Sequence, residues 1–120
     1  MTSQNKLVGL GIWPEAAEQI VMGDVASGLT AAGSTQATAL AISADLNIFS
    51  TVAASTGAIL TSTDGARILV RNAGANALTV YAPVGGTMNG TLNSSLSVPT
   101  TKNAAFYSAN GVDWYSLLSA

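Results

Sequence analysis

The chain has 120 residues, a length that suits one domain with one hydrophobic core. Only 8% of the residues are charged, and the net charge of −2 includes four scattered cations, which excludes the basic cluster that nucleic-acid binding requires. Histidine and cysteine are absent, so the sequence holds no imidazole base, no thiolate nucleophile, no disulfide and no nitrogen or sulfur side-chain ligand for zinc.

Residues 1–33 differ in texture from the rest and are predicted to form an N-terminal arm. A proline, two glutamates and a closing glycine favour a short helix over 14–23, and an edge strand over 19–22 is the alternative. The arm lacks the charged start and continuous apolar stretch of a signal peptide, so we expect synthesis in the cytosol. The uncharged stretch at 25–44 is broken by polar residues, which argues against a membrane span.

An apolar patch precedes Pro14 and is the one partner-binding site that the sequence suggests. It consists of Leu7, Leu10, Ile12 and Trp13. Because the segment has little local structure to bury these side chains, they either pack on their own domain, which is the more frequent outcome for such a patch, or contact a partner protein.

From residue 34 to the C-terminus, short β-prone runs alternate with turn residues, which predicts one β domain over 34–120. The dipeptide Asn110-Gly111 is a strong hairpin signal between two aromatic-bearing runs. The predicted strands are 37–42, 47–52, 58–61, 67–72, 78–82, 95–98, 104–108 and 112–118.

Alternation along these runs indicates which side chains form the core. In the run 67–71 the two arginines point one way, and Ile68 and Val70 point the other way. The same pattern elsewhere predicts one core containing Ile68, Val70, Leu78, Val80, Phe106 and Trp114. The fold class is therefore predicted to be all-β, an antiparallel sandwich or barrel of jelly-roll type, with consecutive runs paired as hairpins.

Catalytic and metal-binding patterns are missing from the sequence. The carboxylates lie on the arm or beside turns, where aspartate accepts backbone hydrogen bonds, and do not form a facing pair. Asp45 and Asn47 have the spacing that begins a calcium loop, but the following glycine and the closing acid are absent. We expect no enzymatic activity, no cofactor and no metal.

The low charge indicates association with other protein subunits. Soluble monomers keep themselves dispersed with about 25% charged residues, roughly three times the fraction here. We therefore expect a homo-oligomer, with a trimer preferred, in which neighbouring subunits cover uncharged surface and strand edges.

Three segments of the chain resemble small virion structural proteins of tailed phages. They are GSTQATAL at 33–40, RILVRNAGANALTVYAP at 67–83 and Met88-Asn89-Gly90, followed by an aromatic strand with Trp114. The resemblance covers residues 33–118 and implies a trimeric decoration (cement) protein that binds the major capsid protein on the outer surface of the shell. It implies no catalytic residue, and it is shared by head-decoration and tail-associated proteins. The alternative function is a tail or fibre adsorption domain that binds host surface glycans, which exposed aromatic side chains in a groove would favour.

Overall fold

The computed structural model describes residues 25–61 and 67–119, which contain eleven β-strands and one short 3-10 helix at Gln36–Thr38. No α-helix occurs in these two ranges. The strands are β1 (Val25–Thr30), β2 (Leu40–Ile42), β3 (Leu46–Thr51), β4 (Gly57–Leu60), β5 (Arg67–Asn72), β6 (Leu78–Tyr81), β7 (Thr87–Met88), β8 (Thr91–Leu92), β9 (Ser95–Val98), β10 (Asn103–Tyr107) and β11 (Asp113–Leu118).

The first six strands wind as a short parallel β-solenoid. Odd-numbered strands β1, β3 and β5 lie side by side in one sheet, and even-numbered strands β2, β4 and β6 lie side by side in a second sheet. All four neighbouring pairs within this group are parallel. Each strand therefore crosses to the other sheet before the chain returns to pair with the strand two places earlier.

Hydrogen bonds between successive corners hold the turns of the solenoid together. The side-chain amide of Asn76, after β5, donates to the carbonyl of Val52, after β3, over 2.9 Å. The backbone amide of Ala73 donates to the carbonyl of Phe49 over 2.8 Å. Gly74 allows this close stacking, because a Cβ there would lie 2.7 Å from the backbone nitrogen and the side chain of Val52.

The C-terminal third closes the solenoid with antiparallel strands. Strand β9 pairs antiparallel with β6, which completes a four-stranded short sheet in the order β2-β4-β6-β9. Strand β10 pairs antiparallel with β5, and β11, β7 and β8 extend this sheet to seven strands in the order β1-β3-β5-β10-β11-β7-β8. We call these the short sheet and the long sheet.

One hydrophobic core lies between the two sheets. Its largest fully buried side chains include Trp114, Phe106 and Phe49 from the long sheet and Leu60 and Leu78 from the short sheet. Every buried side-chain nitrogen and oxygen of the described residues has a hydrogen-bond partner. The predicted core is confirmed, since Ile68, Val70, Leu78, Val80, Phe106 and Trp114 are each at most 2% exposed.

The all-β class is confirmed, but the predicted antiparallel sandwich or barrel of jelly-roll type is wrong. The predicted runs each overlap an observed strand, yet runs predicted to form hairpins, such as 67–72 with 78–82, lie in different sheets. Alternation of apolar and polar residues shows only which side of a strand is buried. A strand has the same alternation whether it pairs with the next strand of a hairpin or with a strand in the next turn of a solenoid. The hairpin at Asn110-Gly111 is confirmed between β10 and β11. Strand β1 lies within the range 1–33 that was assigned to the arm, and it pairs with β3.

Candidate functional site

The partner-binding residues predicted from the sequence, Leu7, Leu10, Ile12 and Trp13, lie outside the described residues. The structure therefore does not place them relative to one another or to the two sheets.

Acidic side chains of the described residues do not form a metal-binding cluster. No group of three or more histidine, cysteine, aspartate or glutamate residues lies close enough together in the described part to hold a metal ion. At the calcium-like spacing, Asp45 is exposed, whereas Asn47 is buried and its amide donates to the carbonyls of Ala44 and Leu69. Asn47 thus ties β3 to β5, a structural role that the short motif did not reveal.

The outward-facing side of the long sheet carries an unbroken row of apolar side chains. Val25 lies opposite Leu46, Leu46 opposite Leu69, Leu69 opposite Ala105, and Ala105 opposite Leu117. These five residues, which we call the apolar row, cross β1, β3, β5, β10 and β11. Val25 is 58% exposed and Leu117 is 65% exposed, so the row is open to solvent at both ends.

A shallow groove of about 450 Å³ follows part of the apolar row. Leu46, Leu69, Ala105 and Leu117 line it, together with Arg71 at its side. The Arg71 guanidinium donates to the carbonyl of Thr101 and to the side-chain oxygen of Asn103, which holds it beside the groove. On the same strand, two residues to the other side of Leu69, lies the exposed Arg67.

Two tyrosines form a neighbouring row on this face. Tyr107 lies opposite both Arg67 and Tyr115, and the two rings are 5.6 Å apart between centroids at an angle of 31°. Both side chains are almost half exposed. The pair places two aromatic faces and a cation beside the groove.

Three further exposed apolar side chains lie on segments at the end of the long sheet opposite β1. We call this group the corner patch, and it consists of Val84, Leu92 and Val112, which are 71%, 64% and 44% exposed. The three belong to connected segments, because Leu92 lies opposite Thr87 and the amide of Thr87 donates to the carbonyl of Val112.

Asn93 and Gln36 hold the backbone around the corner patch. The side-chain oxygen of Asn93 accepts a 2.7 Å hydrogen bond from the amide of Gly85, and its backbone amide donates to the carbonyl of Gly86. The side-chain amide of Gln36 donates to the same Asn93 oxygen and to the carbonyl of Ala82. These bonds fix the loop that presents Val84.

Asp113 supplies a fixed negative charge between the corner patch and the tyrosine row. The Asn110 amide and the Thr87 hydroxyl donate to its two carboxylate oxygens, at 3.0 Å each. These bonds stabilise the ionised form and hold the pKa of the Asp113 carboxyl below its usual value of 3.8. The hydrogen bond from Asn110 lowers this pKa more than the bond from Thr87 does, and desolvation of the carboxyl opposes both effects.

Sequence reasoning missed both the apolar row and the corner patch. Leu46, Leu69 and Leu117 lie on the outward side of their strands, one outward leucine on each. A single outward leucine has no meaning in the sequence until the strand register shows that the three belong to one row. The predicted strand 112–118 begins one residue too early, because Val112 lies before β11 and its side chain is 44% exposed.

Comparison with known proteins adds no identification. The chain matches no protein-family model, no curated protein and no solved structure. Within the ranges that the structure describes, no helix is long and apolar enough to cross a membrane. A function therefore has to be argued from the surfaces themselves.

Proposed function

We propose that the chain is a non-catalytic structural protein of a tailed-phage virion, a decoration protein that binds the major capsid protein outside the shell and stabilises it as a homotrimer. The observation that carries the proposal is the corner patch, three exposed apolar side chains on hydrogen-bonded segments at one end of the long sheet. Surface of this kind gains from burial against another protein at roughly 25 cal/mol per Å². The resemblance of residues 33–118 to phage virion proteins suggests that this other protein is the major capsid protein.

The architecture suits such a role. Two sheets with a continuous core and paired polar groups hold the corner patch in one geometry, so binding costs little ordering entropy. Many weakly held copies then stabilise the assembled shell, because a ligand that binds only the assembled state shifts the equilibrium toward it. Leu7, Leu10, Ile12 and Trp13 are proposed as a second anchor on the capsid.

The test is reconstitution of shells of the major capsid protein encoded by the same genome. The wild type should coat these shells and raise their disruption temperature. Leu92→Asp and Val84→Asp should each reduce occupancy by about tenfold or more, because a buried unpaired carboxylate opposes binding. Ala54→Asp, at an exposed position in the β3–β4 turn, is the matched control and should bind as the wild type does.

Cryo-electron microscopy of intact particles decides the location and the copy number. Density for three copies around one axis on the shell supports the proposal. Wild-type occupancy in both corner variants overturns the role of the corner patch. A protein that purifies with tails and never with capsids overturns the decoration function itself.

The tyrosine pair favours a second candidate function, adsorption to host surface glycans by a tail-associated protein. Aromatic faces beside a groove offer stacking surface to sugar rings, and Arg67 offers a hydrogen-bond donor. Binding to a glycan array that is lost in Tyr107→Ala and Tyr115→Ala, but retained in Leu92→Asp, would favour this function over decoration.

A further inference from the structure

We propose that residues 14–24 of the same chain bind across the apolar row on the long sheet. The occupant of this face is thus a segment of the chain itself, independent of whether the protein decorates capsids. Three features of the described residues and of the sequence support it: the place where the chain reaches the face, its charge and its length.

The chain reaches the face at one end of the apolar row. Val25 is both the first residue of β1 and the first member of the row, opposite Leu46. The segment 14–24 is joined directly to it. A tethered segment is present at an effective concentration in the millimolar range, so even a weak contact with the row is populated.

Charge on the two sides is complementary. The outer face presents Arg67 and Arg71, which flank Leu69 on β5. The segment 14–24 contains three of the six acidic residues of the chain and no basic residue. These acids are Glu15, Glu18 and Asp24.

The apolar residues and the length of the segment 14–24 also match the apolar row. The segment contains Ala16, Ala17, Ile20, Val21 and Met22, which would meet the leucines of the row. Five neighbouring strands span about 19 Å between the outermost axes. The eleven residues of 14–24 cover about 16 Å as a helix and up to about 36 Å when extended, so either form crosses most or all of the row.

Disulfide trapping in the full-length chain tests this contact, because the protein contains no native cysteine. Ala105→Cys places a thiol at the fourth position of the row, between Leu69 and Leu117. Ala105→Cys is combined with Ala16→Cys in one variant and with Ala17→Cys in another. Two adjacent positions are used so that at least one of the two thiols faces the apolar row. The control pairs use Ala41→Cys, which is exposed on β2 in the short sheet.

Mild oxidation should convert at least one Ala105 pair to an intramolecular disulfide about tenfold or more faster than the matching Ala41 pair. Arg67→Glu should slow that reaction about two- to fivefold, and adding Glu15→Lys and Glu18→Lys should restore the rate. The wild-type circular dichroism spectrum in each variant confirms that the sheets are intact.

Equal rates for the Ala105 and Ala41 pairs would overturn the proposal. A disulfide-linked dimer as the main product, formed also on mixing the single-cysteine variants, would show that a neighbouring copy supplies the segment and would overturn the same-chain contact. Protection of Ala105→Cys from thiol reagents only at high protein concentration would assign the face to a second copy instead.

Discussion

The side-chain amide of Asn72, on β5 of the long sheet, donates a 2.9 Å hydrogen bond to the carbonyl of Val98, on β9 of the short sheet. Both residues are fully buried. The same amide group donates to the carbonyl of Asn76, and its oxygen accepts from the amide of Gly74. One side chain therefore joins the two sheets and shapes the corner between β5 and β6.

Asn72→Ala should lower the free energy of unfolding by about 3 kcal/mol, because it removes three hydrogen bonds, two of which are made with the buried Val98 carbonyl and the buried Gly74 amide. Urea unfolding followed by tryptophan fluorescence measures the change. Asn103→Ala is the control: it removes an exposed partner of Arg71 and should change stability by about 0.5 kcal/mol or less. Equal losses in the two variants would contradict the joining role of Asn72.

Phe106→Ala and Tyr107→Ala compare the two sides of one strand. Phe106 is fully buried between the sheets, and its truncation should cost about 3–5 kcal/mol through lost burial and the cavity left behind. Tyr107 faces outward, so its truncation should cost only about 0.5–1.5 kcal/mol for the contact with Tyr115. A similar cost at both positions in denaturant unfolding would be inconsistent with the observed strand orientation.

Sequence reasoning reached the strands and the core because both depend on local alternation. Ile68, Val70, Phe106 and Trp114 were assigned to the buried side correctly, since a strand with one buried face repeats every second residue. The same pattern does not specify the pairing partner. Leu69 pairs with Leu46, which is 23 residues earlier. This separation is the length of one solenoid turn, and no local motif in the sequence indicates it.

The exposed surfaces were not predicted for a related reason. Leu46 and Leu117 are 71 residues apart in sequence and become members of one row only through β5 and β10, which lie between their strands. An outward leucine on a single strand is ordinary, whereas five apolar residues in register across five strands form a continuous surface. Recognition of that surface requires the sheet order.

Gly74→Ala should destabilise the protein more than Gly85→Ala. A methyl group at position 74 would lie 2.7 Å from the backbone nitrogen of Val52, which cannot move without separating two corners of the solenoid. We expect a loss of about 1–3 kcal/mol or more at this position. At Gly85 the space is open, and only the positive φ of 83° opposes alanine, at about 1 kcal/mol.

Thermal unfolding of the two glycine variants measures this difference. Adding Val52→Ala to Gly74→Ala should recover only part of the loss, because the backbone contact remains. Full recovery would show that the Val52 side chain alone sets the spacing between the two corners.

The carboxyl of Asp113 should make stability depend on pH. Its pKa in the folded protein is below the usual value of 3.8, so its charge stabilises the fold above that pH, and the contribution is lost as the pH falls toward the lower folded value. Asp113→Asn should therefore lower the midpoint of thermal unfolding near neutral pH, and the gap to the wild type should narrow below pH 3.8. Thr87→Val removes one of the two donors and should bring the folded pKa of Asp113 closer to 3.8, so the total loss of stability on acidification should be smaller and should be complete at a higher pH. Thr91→Val, at an exposed position on β8, should leave the loss unchanged. A gap that stays constant down to the lowest pH at which the protein remains folded would show that the charge of Asp113 does not stabilise the connection between β7 and β11.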